Sequence, residues 1–146
     1  MVTLAKSRGG RLSNTNLVER DAHLRRTAAA LLMQALQHLN HPSRLSDSPM
    51  CQWQEVRQRA LDSPNRLYPR AHVVIDAVRR SHAAAHAELE GTADACCLVA
   101  LADALQGLTR EESARKAGVS ATEISRRRRE AVEVVIDHVL TLLRTP

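Results

Sequence analysis

Four consecutive arginines, Arg126–Arg129, form the densest charge in the chain, and Arg110, Arg115 and Lys116 stand shortly before them. Between residues 107 and 129 only Glu111, Glu112 and Glu123 oppose that charge. A guanidinium can hold guanine O6 and N7 through two parallel hydrogen bonds, and either cation can pair with phosphate. The chemistry on offer is polyanion binding. The bland reading is a solvated helix face. Four adjacent residues also span the whole circumference of a helix, so at least one Arg must lie sideways or snorkel over apolar surface. A second set, His82, His86 and Glu90, recurs every four residues and so shares a helix face. That spacing can hold Zn²⁺, with Cys96 or Cys97 as a distant fourth ligand. No CxxC or HExxH motif accompanies it, and seven His in an Ala-rich chain give such spacing by chance, so no metal and no cofactor are expected. The glycines Gly9, Gly10, Gly91, Gly107 and Gly118 form no phosphate-cradling loop, and no Ser sits in a nucleophile elbow. The sequence therefore does not read as an enzyme.

The elements that must position these residues are helical. The 146 residues are 44% apolar but only 1% aromatic, so the core has to come from Ala, Leu, Val and Ile. Glycine is scarce and alternating β-branched runs are few, which argues against a sandwich or barrel. No apolar run reaches the roughly 18 residues of a membrane span. Residues 1–13 carry Lys6, Arg8 and Arg11 with no apolar h-region, unlike a secretory signal. Three cysteines, two of them adjacent, suit a reducing compartment. The expected setting is cytoplasmic, in a bacterial or phage-infected host cell. A net charge of +5 at a sequence pI near 9.8, gathered in an N-terminal tail and in residues 107–129, makes nucleic acid the leading partner class.

Punctuation divides the chain into three parts. Residues 1–15 read as a flexible basic arm, 16–91 as an N-terminal helical region and 92–146 as a C-terminal helical unit. A first helix over about 16–39 follows from the apolar stripe Leu17, Leu24, Ala28, Leu31, Ala35 and Leu39. A polar loop to Ser48 precedes a helix begun by Pro49 and running to about 61, with Met50, Trp53, Val56 and Ala60 as its thin apolar set. Turns at residues 62–65 and 68–69 precede a helix over about 70–90, which points Val74, Ile75, Val78, Ala85 and Leu89 inward and stops at Gly91. Trp53 and Tyr68 could stack on bases, but packing anchors are the commoner role for such residues.

Beyond Thr92 the spacing becomes more informative. A helix over 93–105 is apolar nearly all round and should be buried, with Cys96 and Cys97 as core residues. Thr109 and Glu112 fit a capping box for a short helix over 110–117, and Gly118 sits where a left-handed C-terminal cap belongs. Ser120 and Glu123 fit a second box. Two closely spaced helices of this kind are the layout of a helix-turn-helix. Ile124 should then anchor the second helix against Ala114 and Val119, leaving Ala121, Thr122, Ser125, Arg126 and Arg129 outward for base edges. Arg115, Lys116 and Arg127 suit phosphate, and the amides near Thr109 and Ser120 could add to it. The terminal helix should continue to about Leu143 with apolar residues on more than one face. That surplus is either a homodimer seam or docking site, or surface covered by the N-terminal helices.

Gln106-Gly107-Leu108-Thr109, Glu112, Ala114, Ala117-Gly118-Val119-Ser120 and Ile124 resemble the helix-turn-helix of sigma-factor region 4. Ser113 stands where that family has a larger apolar residue, and Arg128 where it usually has Leu. The resemblance spans residues 99–135, about a quarter of the chain. Nothing in the sequence resembles the promoter-melting region 2. A short chain ending in such a unit also resembles phage late-gene regulators, including the Q-type antiterminators, with Ile75-Asp76-Ala77-Val78 as a looser match. These resemblances imply an all-α DNA-binding transcription regulator that contacts double-stranded DNA and RNA polymerase, in late-gene control or antitermination. The alternatives are a conventional repressor or activator without polymerase contact, and a helical protein-binding module.

Overall fold

The computed structural model describes residues 10–145, with side chains placed from residue 22 onward. The described residues form α1 (Gly10–Ala35), α2 (Pro42–Leu45), α3 (Gln54–Ala60), α4 (Pro69–Leu89), α5 (Ala95–Leu105), α6 (Arg110–Ala117) and α7 (Ala121–Arg144). Short 3-10 segments lie at Leu36–His38 and Pro49–Gln52, and there is no strand among the described residues. The all-α class and the long C-terminal helix are thus present. No described helix is long and apolar enough to cross a membrane.

The long helix α7 is the central strut. Ala131, Val132, Val135, Ile136, Val139 and Leu143 are buried along it, beneath α1, α4 and α5. The N-terminal helices and α5 thus cover much of its apolar surface, with Val134, Leu140 and Leu142 half-buried at the edge. Polar ties fix the same contacts. The Arg25 guanidinium on α1 pairs with Asp137 at 2.8 Å and donates to the Glu133 carbonyl at 2.7 Å. At the far end Arg59 on α3 donates to the Leu142 carbonyl at 2.5 Å and the Leu143 carbonyl at 3.4 Å. The last carbonyls of a helix have no partner of their own and carry partial negative charge, so a cation is well placed there.

Several expected elements differ in the structure. Helix α1 begins at Gly10, ahead of the expected start near 16, and its last turn tightens into the 3-10 segment Leu36–His38. Residues 1–9 of the expected basic arm, and the side chain of Leu17, lie outside the described residues. The buried stripe is Ala28, Leu32, Ala35 and Leu39, while Leu24 is 52% exposed and Leu31 half-buried. Spacings of four, three and four keep that set on one face against α7, and Leu24 falls at its edge. The polar loop after residue 40 contains α2, begun by Pro42 and anchored by the fully buried Leu45. The helix expected over 49–61 splits, because Trp53 takes extended backbone (φ −61°, ψ 140°) between Pro49–Gln52 and α3. This break lets Met50, Cys51 and Val56 all reach the core. Trp53 packs against that core half-buried, whereas Tyr68 is 44% exposed at φ +53°.

Helix α4 buries Val74, Val78 and Ala85 as expected, with Ala71, Ala77 and Ser81 beside them. Gly91 follows at φ +81°, a conformation that stops the helix at little cost for a residue without Cβ. Helix α5 is not buried all round. Cys97, Leu98 and Leu101 are inside, but Cys96 is exposed and Val99 is 45% exposed, because α4 and α7 cover one side of α5 and leave this side to solvent.

Candidate nucleic-acid interface

The α6–α7 corner is built locally by capping. Thr109 Oγ1 accepts from the Glu112 amide at 3.1 Å, and Glu112 Oε1 accepts from the Thr109 amide at 2.8 Å. Both partners of this capping box satisfy donors that the first helical turn leaves open. The Thr109 amide is thereby occupied and is not a spare donor for phosphate. Gly118 ends α6 at φ +72°, with the amides of Gly118 and Val119 both on the Ala114 carbonyl at 2.9 and 3.1 Å. Ser120 Oγ then accepts from the Glu123 amide at 3.1 Å and starts α7. Only half of the second box forms. The Glu123 carboxylate turns instead to Arg126 at 2.6 Å and Arg127 at 2.9 Å. Hydrogen bonds first from Arg126 and then from Arg127 hold Glu123 down to about 2.

Ile124 points inward, as the sequence indicates, and forms a small cluster with Ala100 and Ala114. Val119 and Ala121 pack against that cluster, so Ala121 is a packing residue on the rim of the outward face. Thr122, Arg126 and Arg129 are exposed and Ser125 is half-buried. Ser125 Oγ also accepts from Arg110 at 3.2 Å, which brings a cation from the start of α6 to the outward side of α7. The basic segment of the sequence includes Arg110, but its partner lies fifteen residues away and only the fold brings them together.

The arginine run divides by position. Arg126 lies between Glu123 and Glu130 and pairs with both. Arg127 is only 20% exposed along its side chain and leans on Glu123, so it is less open to phosphate than its type suggests. Arg128 is the sideways member. Its guanidinium donates to the carbonyls of Ala100 and Leu108, both at 3.3 Å, and burial pushes its basicity down. Arg129 and Arg115 are exposed, and neither makes an ion pair among the described residues.

Beneath this face lies a polar tie that the sequence did not reveal. Asp103 on α5 is buried and accepts from Ser113 Oγ at 2.7 Å and from Lys116 Nζ at 2.6 Å. Burial raises the Asp103 carboxyl, but hydrogen bonds from Lys116 and Ser113, with the charges of Lys116 and Arg128, outweigh it and hold the group below its ordinary value. The small Ser113 thus follows from the acid it faces. Lys116 is committed to Asp103 while its side chain remains 56% exposed, which puts it at the rim.

The histidine set is dispersed. His82 Nε2 lies 2.8 Å from the Leu98 carbonyl and ties α4 to α5. His86 is exposed and its ring lies 6.2 Å from that of His82, while Glu90 is past the helix end. Among the described residues no three His, Cys, Asp or Glu side chains gather where they could hold a metal ion. Cys97 is buried near Glu130, and burial pushes its thiol up to about 11. Comparison with protein-family models, with curated proteins and with solved structures finds no match to this chain.

Proposed function

We propose that the chain is a DNA-binding transcription regulator, with α6 and α7 as a helix-turn-helix and α5 as its support. One observation carries the reading: a glycine-capped α6 and a Ser-capped α7 meet over Ile124, so that Thr122, Ser125, Arg126 and Arg129 line one outward side. A second helix presented in this way can enter the major groove N-terminus first, while the first helix crosses the backbone. Arg129 is the strongest candidate for base edges because no carboxylate competes for it, and Arg115 and Lys116 suit phosphate. Arg126 joins once its exposed ion pairs open, which costs little in water.

The test is competition binding on selected and random duplexes at several salt concentrations. Arg129→Ala should cost about 1–3 kcal/mol on the selected duplex and much less on random DNA. Arg115→Ala should weaken both alike and lower the salt slope by about one phosphate's worth. No duplex binding by the parent at low salt would remove the reading and favour a protein-binding module. RNA polymerase as a second partner is supported by the resemblance of residues 99–135 alone. A pull-down probed for polymerase and for DNA separates that proposal from a conventional repressor or activator.

A further inference from the structure

A cleft of about 470 Å³ opens between the end of α1 and the outward side of α7. Gln37, Asn40 and His41 form one wall, and Ser125, Arg128 and Arg129 the other. No Asp or Glu lines it. Four other clefts of the described chain each carry at least one carboxylate, from Glu55, Asp62, Asp76 or Asp137. The cleft therefore joins the exposed Arg129 guanidinium, and the Arg128 guanidinium already bonded to the Ala100 and Leu108 carbonyls, to amide and hydroxyl groups with no carboxylate in the lining. Gly107, at φ +90°, lies against the Asn40 side chain, and a Cβ there would stand 2.9 Å from Asn40 Nδ2.

Resting on the DNA-binding reading, we propose that this cleft is the second half of the interface and receives the phosphate backbone of the bound duplex. The charge balance of the walls selects an anion, and the Arg129 side chain makes the cleft continuous with the groove-facing side of α7. Gln, Asn and His side chains donate to phosphate oxygens and so position a duplex without reading its sequence. The N-terminal region then does more than cover α7. It sets how the recognition helix lies in the groove.

The experiment compares two double variants of the full chain with equal added charge at pH 8, on a short duplex at fixed low salt. Gln37→Glu with His41→Glu places carboxylates on the cleft wall. Gln54→Glu with Gln58→Glu places them on exposed positions of α3, in a different cleft. All four side chains are exposed, and unchanged melting temperatures for both variants check the fold. The first pair should weaken binding at least tenfold and the second less than twofold, with each cleft single change giving an intermediate loss. Equal losses for both pairs would show mere net charge and overturn the proposal. Binding that depends on Arg129 but is untouched by the first pair would overturn the cleft and leave the helix-turn-helix reading intact. A parent that binds no duplex would overturn both.

Discussion

Residues 121–130 and residues 131–143 are two halves of one unbroken helix, and they are held by different forces. The first half buries Ile124 alone among its large side chains, in a cluster with Ala100 and Ala114, and is otherwise laced by arginines and carboxylates. The second half buries Ala131, Val132, Val135, Ile136, Val139 and Leu143 under α1, α4 and α5. Burial of apolar area is worth about 25 cal/mol per Å², whereas exposed ion pairs contribute roughly 0–1 kcal/mol each. Stability should therefore reside in the second half and binding in the first. The strut anchors a face that is free to be charged.

The largest expected effect lies in the second half. Ile136→Ala removes most of a fully buried side chain and should cost about 2–5 kcal/mol in denaturant unfolding. Ile124→Ala, in the small cluster, should fall toward the lower end of that range because fewer neighbours lose contacts. An Ile136→Ala protein as stable as its parent would break the division between the two halves.

The tie between α5 and α6 comes next. Asp103→Ala leaves Ser113 and Lys116 without their acceptor and should cost about 1–3 kcal/mol near neutral pH. Because the folded carboxyl is held below its ordinary value of 3.8, its contribution is present above that pH. It is lost as the pH falls through the lower folded value. The stability gap between parent and Asp103→Ala should narrow as solutions are taken below pH 3.8. A gap constant down to pH 2 would mean that charge has no part in the tie.

These two residues also show what the sequence could and could not reveal. Ile124 was legible because the caps at Thr109 and Ser120 and the turn at Gly118, which set its place, are each closed by hydrogen bonds between residues only three to five apart. Local hydrogen bonding writes itself into local residue types. Asp103 was not legible. An acid in an apolar helix reads as a surface residue until its partners, ten and thirteen residues on, are brought under it. The sideways place of Arg128 follows from four adjacent arginines on one helix, but its carbonyl partners, 28 and 20 residues back, are brought to it only by the fold. The cover over α7 depended in the same way on tertiary packing, and α2 was hidden because a four-residue helix has no period to detect.

A smaller effect tests a residue whose role the structure changes. The sequence alone makes His82→Ala neutral, since no metal is expected. The bond from His82 Nε2 to the Leu98 carbonyl instead predicts a loss of about 0.5–1.5 kcal/mol, with His86→Ala close to zero. Thermal melts of the two single variants, with and without chelator, measure this. Equal melting temperatures would remove the α4–α5 tie, and a chelator-sensitive parent would restore the metal reading.

The smallest expected change is a gain, and it tests the first half of α7 most sharply. Arg126 is shared between Glu123 and Glu130, so its charge is largely met inside the helix before any ligand arrives. Glu123, held down to about 2 by Arg126 and Arg127, stays ionised throughout any practical binding assay. Glu130→Gln keeps the shape and an acceptor for Arg126 but removes one of the two competing charges. Duplex affinity should rise about two- to fivefold at low salt and return toward the parent value as salt screens the field. Arg129 makes no such pair, so in the double variant the Arg129→Ala loss should be reduced by about the factor that Glu130→Gln gains alone. Anisotropy titrations of the parent, the two single variants and the double variant give both terms. Lower affinity for Glu130→Gln would mean that Glu130 holds Arg126 in its binding pose. No change at low salt would place Arg126 outside the interface and leave Arg129, Arg115 and the cleft at the end of α1 to carry the contact.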